Sequence, residues 1–337
     1  MSRYFSMIFL FCFISPLTAE CQNRFSQFYA SPLLVNPANT GRFNKSYRIG
    51  GSFRRQINTQ EQLFTQAAFF SDFKIMEKLT PQQDCFALGI SGLSEKSATD
   101  GIRNTYLSLS AAYQKGLDEE GRQQLGLGFQ TTLGQRQLLK PDYVLEDQLI
   151  SWINSGYSNI DISQIGDVKV AYIDLNAGLV YQGMINNANL FTVGVSMHHI
   201  TEPRRVFQGG ELNVPRQTSG HLAWEKKLEN NGKIYAALLM SYSERSVNNL
   251  FTGLTCELSI NRNNQFSFGA WFRSNLVGGK AIVPVAGLNF IGFAINTSYD
   301  ITIYSKNRGQ KSAMEITMIY TGAKSRERFL EDRFIKF

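Results

Sequence analysis

The chain has 337 residues, 43% of them hydrophobic, and a formal net charge of +7. This length suits one large domain or two domains of ordinary size. The basic residues are spread along the chain rather than gathered in one block, which argues against a nucleic-acid-binding groove. Mild basicity is compatible with a position near an anionic membrane surface.

Residues 1–21 are predicted to be a cleaved signal peptide. Arg3 precedes the apolar run MIFLFCFI, which is too short to span a bilayer. Small residues then lead to a plausible cleavage point after Cys21. The alternative is a lipoprotein acylated at Cys21, which Glu20 disfavours because the preceding position requires a small side chain.

Residues 22–46 follow as a segment that is too broken for regular structure. They include FSQFYASPLLVNPANTG at positions 25–41, where Pro32 and Pro37 interrupt any helix or long strand. The prolines predict an extended conformation, and Asn36-Pro37 favours the start of a turn. The aromatic and aliphatic side chains of this segment need to be buried.

Strands are predicted from about Tyr47 onward, because apolar residues recur there with a period of two. In YIDLNAGLVY, for example, Ile173 and Leu175 fall on one face, whereas Asp174 and Asn176 fall on the other. We predict fourteen strands, at roughly 47–55, 63–73, 85–93, 104–116, 123–136, 170–182, 190–200, 216–228, 233–244, 248–260, 265–273, 281–290, 293–303 and 312–320.

The connections between these strands differ systematically in length. Tight turns follow predicted strands eight, ten and twelve, whereas long loops at 137–169 and 201–215 follow strands five and seven. Short turns at one end and long loops at the other are typical of outer-membrane barrels, whose short turns face the periplasm. In lipid, only a closed barrel pairs all backbone groups of an all-β chain. Residues 47–320 are therefore predicted to form an all-β, transmembrane, antiparallel up-and-down barrel of about fourteen strands.

In this barrel the apolar face of each strand should meet lipid, and polar residues such as Asp174, Asn176 and Glu257 should line the interior. A soluble periplasmic sandwich or propeller would show the same alternation but not the same distribution of loops. Fourteen strands enclose more space than their own side chains fill. Water, folded-in loops, a partner or the N-terminal segment must therefore occupy the lumen, and the segment is expected to pack at the periplasmic side.

The loop after predicted strand five is longer than a simple connection requires. It carries Tyr143, Trp152 and Tyr157, and outward-facing barrel loops are where partners bind. We predict an extracellular partner-binding loop, with closure of the lumen as the alternative. Residues 321–337 are predicted to be a periplasmic tail, whose apolar residues have the spacing of a short amphipathic helix.

No catalytic, metal or cofactor site is predicted. His198 and His199 are neighbours on a predicted strand, so their side chains should point to opposite faces and should not bind one metal ion. His221 has no evident catalytic partner, and no G-x-S-x-G motif is present. Cys85 and Cys256, which remain after removal of the signal, are too few for a disulfide framework or a Cys-rich metal site.

The segment FSQFYASPLLVNPANTG resembles the signature that opens the mature chains of the PorP/SprF family, which serves type IX secretion and gliding in Bacteroidetes. GVSMHHITEP (194–203), IVPVAGLNF with INTSYDIT (282–302) and SAMEITMIY (312–320) resemble later motifs of the same family. An acidic residue usual before the signature is replaced by Asn23-Arg24. The residues that match the signature are Phe25, Ser26, Gln27, Phe28, Tyr29, Pro32, Leu33, Asn36, Pro37, Ala38 and Gly41.

This resemblance implies a non-enzymatic protein of the outer membrane of a Gram-negative, Bacteroidetes-type bacterium. Its expected partners are outer-membrane lipid and either a periplasmic ring or translocon protein of type IX secretion or the C-terminal domain of a secreted adhesin. The signature residues are expected to bind a partner or to plug the lumen. An outer-membrane porin or solute transporter is the alternative function, and a lipid-modifying barrel enzyme is a further one.

Overall fold

The computed structural model describes residues 25–57, 62–75, 81, 83–97, 101–138, 168–207, 210–229, 232–243, 246–261, 264–275, 279–290, 292–305 and 312–324. The predicted signal peptide (1–21) lies outside these residues. So do Tyr143, Trp152 and Tyr157 of the predicted partner loop and the tail beyond Lys324.

Fourteen antiparallel strands close into a barrel, which confirms the predicted fold. Each wall strand pairs with the next wall strand along the chain, and the first and last strands close the wall. The wall strands are β1 (Lys45–Ile57), β2 (Gln62–Ile75), β3 (Cys85–Ser97), β4 (Ile102–Gly116), β5 (Gln123–Leu138), β6 (Val168–Asn186), β7 (Asn189–His198), β10 (Gln217–Lys227), β11 (Lys233–Ser243), β12 (Ser246–Ser259), β13 (Asn264–Asn275), β14 (Gly279–Phe290), β15 (Phe293–Ser305) and β16 (Ser312–Lys324).

Two further strands, β8 (Arg204–Phe207) and β9 (Gly210–Asn213), form a separate hairpin in the connection between β7 and β10. The sequence pattern predicts only a loop at 201–215. The last wall strand is also longer than predicted, because β16 continues past Tyr320 to Lys324, which pairs with Lys45.

The two faces of the wall follow the alternation in the sequence. On β6, Ile173 is 63% exposed and Leu175 is also exposed, whereas Asp174 and Asn176 point into the barrel and are buried. The prediction of an apolar outer face and a polar inner face is confirmed on this strand. In a bilayer the exposed apolar row is solvated by hydrocarbon.

The strand ends that border the long connections 139–167 and 199–216 lie at the same end of the barrel. The opposite end carries the short turns 187–188 and 291–292, and both the start of β1 and the end of β16. This distribution identifies the latter end as periplasmic and the former as extracellular. No helix in the part of the chain that the structure describes is long and apolar enough to cross a bilayer.

Residues 25–44 occupy the lumen and are called the lumen segment below. The segment is compact, with helical turns at Phe28–Ala30, Pro32–Val35 and Pro37–Asn39. The prediction that its prolines hold it extended is therefore wrong. Both prolines occupy the first position of a helical turn, where the missing N–H is not needed and the fixed φ suits a helix.

Candidate functional site

The lumen segment begins with hydrogen bonds to two buried carboxylates of the wall. The backbone N–H groups of Ser26 and Gln27 donate to the two oxygens of Glu315 at 2.8 and 2.9 Å. The Ser26 hydroxyl donates to Asp300 at 2.8 Å. The Gln27 side chain donates to the Ser298 hydroxyl at 3.0 Å. The backbone N–H groups and the side chains of Ser26 and Gln27 are thus bound by β15 and β16.

Two arginines neutralise these carboxylates within the wall itself. Arg54 on β1 and Arg273 on β13 each donate to Asp300 at 2.9 Å. The Arg54 Nε also lies 3.9 Å from Glu315. Formally the two positive charges equal the two negative ones, so the network needs no charge from the segment. Such pairing is required, because an unpaired charge at this depth would be strongly destabilising.

An apolar patch on the inner face of β11 to β14 receives the aromatic residues of the segment. The Phe28 ring meets Trp271 edge-on, with centroids 5.5 Å apart, and lies 6.1 Å from the Phe251 ring. Tyr29 stacks on Trp271 at 5.0 Å. Edge and offset contacts of this kind are favourable between aromatic rings. Leu239, Val283 and Val285 complete the patch.

The Asn36-Pro37-Ala38 turn fits against glycines of β5 and β6. The Asn36 side chain accepts from the N–H of Ala38 at 2.9 Å and donates to two wall carbonyls, those of Leu179 and Val195, at 3.2 and 3.1 Å. A Cβ at position 178 would lie 1.9 Å from the Asn36 Oδ1, and one at position 128 would lie 2.4 Å from the Ala38 nitrogen. Only glycine at both positions allows this approach.

The segment leaves the lumen through a turn at Gly41, whose φ of +77° favours glycine. The Gly41 N–H donates to Asp72 at 2.8 Å, and Arg48 holds the same carboxylate by hydrogen bonds of 3.0 and 2.8 Å. A Cβ at position 41 would lie 2.2 Å from that of Ala87 on β3. Backbone conformation and close packing both require glycine here.

The middle of the segment is bound by the end of β7. The Val35 carbonyl accepts from the Ser196 hydroxyl at 2.8 Å, and His198 Nε2 lies 3.2 Å from it. His199 also points inward and is paired with Asp174 at 2.8 Å. The prediction that the two histidines face opposite sides is therefore wrong. The strand ends at His198, and His199 has a φ of 59°, which turns its side chain back into the lumen.

The lumen segment is the common wall of two cavities, since Phe28 and Val35 line both. The first, of about 130 Å³, lies on the periplasmic side and is bordered by the Lys233–Glu225 ion pair of 2.6 Å. The second, of about 110 Å³, lies on the extracellular side and is bordered by His199, with Asp174, His198 and Glu95. No group of three or more His, Cys, Asp or Glu side chains among the described residues could hold a metal ion.

The structure thus brings together motifs that lie far apart in the sequence. Ser298 and Asp300 come from the INTSYDIT stretch, Glu315 from SAMEITMIY, and Ser196 and His198 from GVSMHHITEP, and all bind the lumen segment. The matching signature residues all lie inside the barrel, and most are buried. Sequence reasoning missed the arginines Arg54, Arg273 and Arg48 and the inner apolar patch. The arginines could have been found as charges on the inward positions of alternating strands.

Comparison with known proteins gives the same picture of the fold. The family model for "Type IX secretion system membrane protein PorP/SprF" matches residues 17–320. The chain is similar to the toluene transporter TodX of Pseudomonas putida, with a TM-score of 0.54 and 8% identity over 90% of this chain and 98% of that one. It is also similar to the toluene transporter TbuX of Ralstonia pickettii, with a TM-score of 0.53 and 9% identity over 87% and 93%. At these identities the likeness concerns the fold alone. No curated protein matches the chain.

Proposed function

The chain belongs to the PorP/SprF family of type IX secretion system membrane proteins, and from this membership and its filled lumen we propose that it is a non-catalytic anchor for a partner in the outer membrane. The partner is a periplasmic ring protein of type IX secretion or the C-terminal domain of a secreted surface protein. The role is positional: the barrel holds the partner at one of its ends.

The fixed lumen segment is the observation that carries this proposal. Its first turn is bound to Glu315 and Asp300, its aromatic residues to Trp271, and its last turn to Asp72. A segment with buried polar contacts along its whole length is costly to displace. A barrel filled in this way is suited to holding a partner rather than to free diffusion of solutes.

Two surfaces are available to the partner under this proposal. On the extracellular side, the loop that carries Tyr143, Trp152 and Tyr157 remains the predicted contact for exported cargo. On the periplasmic side, β16 ends at Lys324 beside the start of β1, so the tail that follows begins at the periplasmic rim. A ring protein would dock there.

Affinity purification of the tagged full chain in mild detergent tests the proposal and distinguishes the two surfaces. Replacing Tyr143, Trp152 and Tyr157 together with alanine should remove co-purified cargo, whereas truncation after Lys324 should remove a ring protein. Tyr299→Ala, which changes a lipid-facing tyrosine, is the control and should retain both. If secretion and co-purification survive both the loop variant and the truncation, the anchoring function is wrong.

A solute transporter is the second candidate, because cavities flank the lumen segment on both sides. In planar bilayers the anchor should show little steady current, whereas a porin should conduct. Removing residues 25–41 should open the barrel and raise the conductance. If the deletion changes neither conductance, thermal stability nor secretion, the segment serves neither as plug nor as partner site.

A further inference from the structure

Four basic residues lie along one ladder of the outer surface, near the extracellular end. Arg55, Lys96, Arg103 and Lys169, called the basic row below, are linked by direct register partners across six neighbouring strands. The successive pairs are Arg55–Thr65, Thr65–Lys96, Lys96–Arg103, Arg103–Gln137 and Gln137–Lys169. With neighbouring strands about 4.8 Å apart, the row extends over roughly 24 Å.

The basic row lies just beyond the apolar belt of the barrel. All four side chains are exposed, and they share the outward face with the exposed residues Phe53, Leu107 and Ile173 further along the same strands. Only small or polar residues separate the basic row from this belt, among them Gly92, Ser94, Thr105 and Ala171. This is the depth at which lipid headgroups replace hydrocarbon.

Like charges adjoin within the row. Lys96 and Arg103 are direct partners on adjacent strands, and like charges in that position are destabilising. Within the described ranges, no carboxylate forms an ion pair with Lys96, Arg103 or Lys169. Glu95 and Asp174, on the same strands, point inward and are buried. An external anion would relieve this repulsion.

We propose that the basic row binds the phosphorylated headgroup of a glycolipid in the outer leaflet. Lysine and arginine are the side chains that bind phosphate most strongly. Phosphate groups of such a lipid lie at the depth of the row, and the apolar belt below it accommodates the acyl chains. The row is confined to β1–β6. On the opposite part of the wall Lys280 is also exposed, but its two register partners, Ser274 and Tyr304, are not basic, so it does not form a row of positive charges.

The test compares lipid retention by the full chain in nanodiscs of zwitterionic lipid. Bis-phosphorylated lipid A is titrated in, and the bound lipid is counted by native mass spectrometry. Removing two charges with Lys96→Gln and Arg103→Gln should weaken retention by roughly thirtyfold, because each basic residue near an anionic lipid surface raises the affinity by roughly fivefold. Lys280→Gln is the matched control and should retain lipid like the wild type. If the double variant does not fold, the two single variants are compared instead.

Three further measurements test the role of the phosphate groups and separate a lipid headgroup from free phosphate. Dephosphorylated lipid A should bind wild type and double variant equally, and 0.5 M salt should narrow the difference for the phosphorylated form, because screening weakens exposed charge contacts. Inorganic phosphate at millimolar concentration should not displace the lipid. The proposal is overturned if the double variant retains bis-phosphorylated lipid A as well as the wild type, or if free phosphate displaces it.

Discussion

Replacing Glu315 with alanine should release the first turn of the lumen segment. The carboxylate is fully buried, and its two oxygens accept from the backbone N–H groups of Ser26 at 2.8 Å and Gln27 at 2.9 Å. Alanine leaves both donors without an acceptor inside the wall. At about 1.5–3 kcal/mol for each hydrogen bond to a charged group, the loss is about 3–6 kcal/mol.

Hydrogen exchange of the peptide that spans residues 25–41 measures this loss directly in the full chain. A change of that size in the free energy of local opening lowers amide protection by about a hundredfold to ten-thousandfold. Glu315→Gln retains one acceptor oxygen and should give an intermediate loss. The control is Glu95→Gln, because that buried carboxylate accepts from Gln66, at 2.7 Å, rather than from the segment. Unchanged protection in Glu315→Ala would refute the view that this residue holds the segment.

Three further substitutions test other contacts of the barrel. Phe28→Ala removes the aromatic contact with the inner apolar patch and should cost about 3–5 kcal/mol of segment docking, measured by the same exchange experiment. Gly178→Ala places a methyl group 1.9 Å from the Asn36 side chain and should increase protease cleavage of the segment, whereas Gly220→Ala, whose nearest neighbour is 4.0 Å away, should not. At the periplasmic end, burial opposes ionisation of Asp84, but hydrogen bonds from a tyrosine, a backbone N–H and a lysine outweigh it and hold its pKa below the ordinary value. Ionised Asp84 therefore stabilises the folded chain above the ordinary carboxyl pKa, and this stabilisation should be lost as the pH falls through the lower pKa that Asp84 has in the folded state. Asp84→Asn should remove this part of the acid dependence of thermal unfolding.

The wall of the barrel could be predicted because the direction of each side chain depends only on its position along its own strand. Alternation with a period of two assigns each residue to lipid or lumen, as Ile173 and Asp174 show. Strand ends were predicted less well, because pairing with a neighbour decides them: β16 reaches Lys324 since β1 offers a partner from Lys45 onward. His199 was misplaced for a related reason. One residue with positive φ reverses the direction expected from alternation.

The lumen could not be predicted in the same way, because its contacts join residues up to 290 positions apart. The inner faces of β11 to β14 include apolar residues such as Leu239, Phe251 and Trp271, so around this patch the strands are apolar on both sides and their pattern does not indicate what covers the patch. The conformation of the lumen segment differs from the prediction because proline breaks a helix only in its interior. Pro32 and Pro37 instead begin helical turns.

The charges around the lumen segment and those of the basic row on the outer surface are arranged differently. FSQFYASPLLVNPANTG contains no charged residue, whereas the wall around it balances Arg54 and Arg273 against Asp300 and Glu315. Docking of residues 25–41 therefore depends on hydrogen bonds and apolar contacts shielded from solvent, and salt should affect it little. On the outer surface, by contrast, Lys96, Arg103 and Lys169 have no carboxylate partner among the described residues. Under the two proposals made above, a barrel that neutralises the carboxylates holding its segment and carries a basic row on its outer surface would stay fixed in an anionic leaflet while its ends bind a partner.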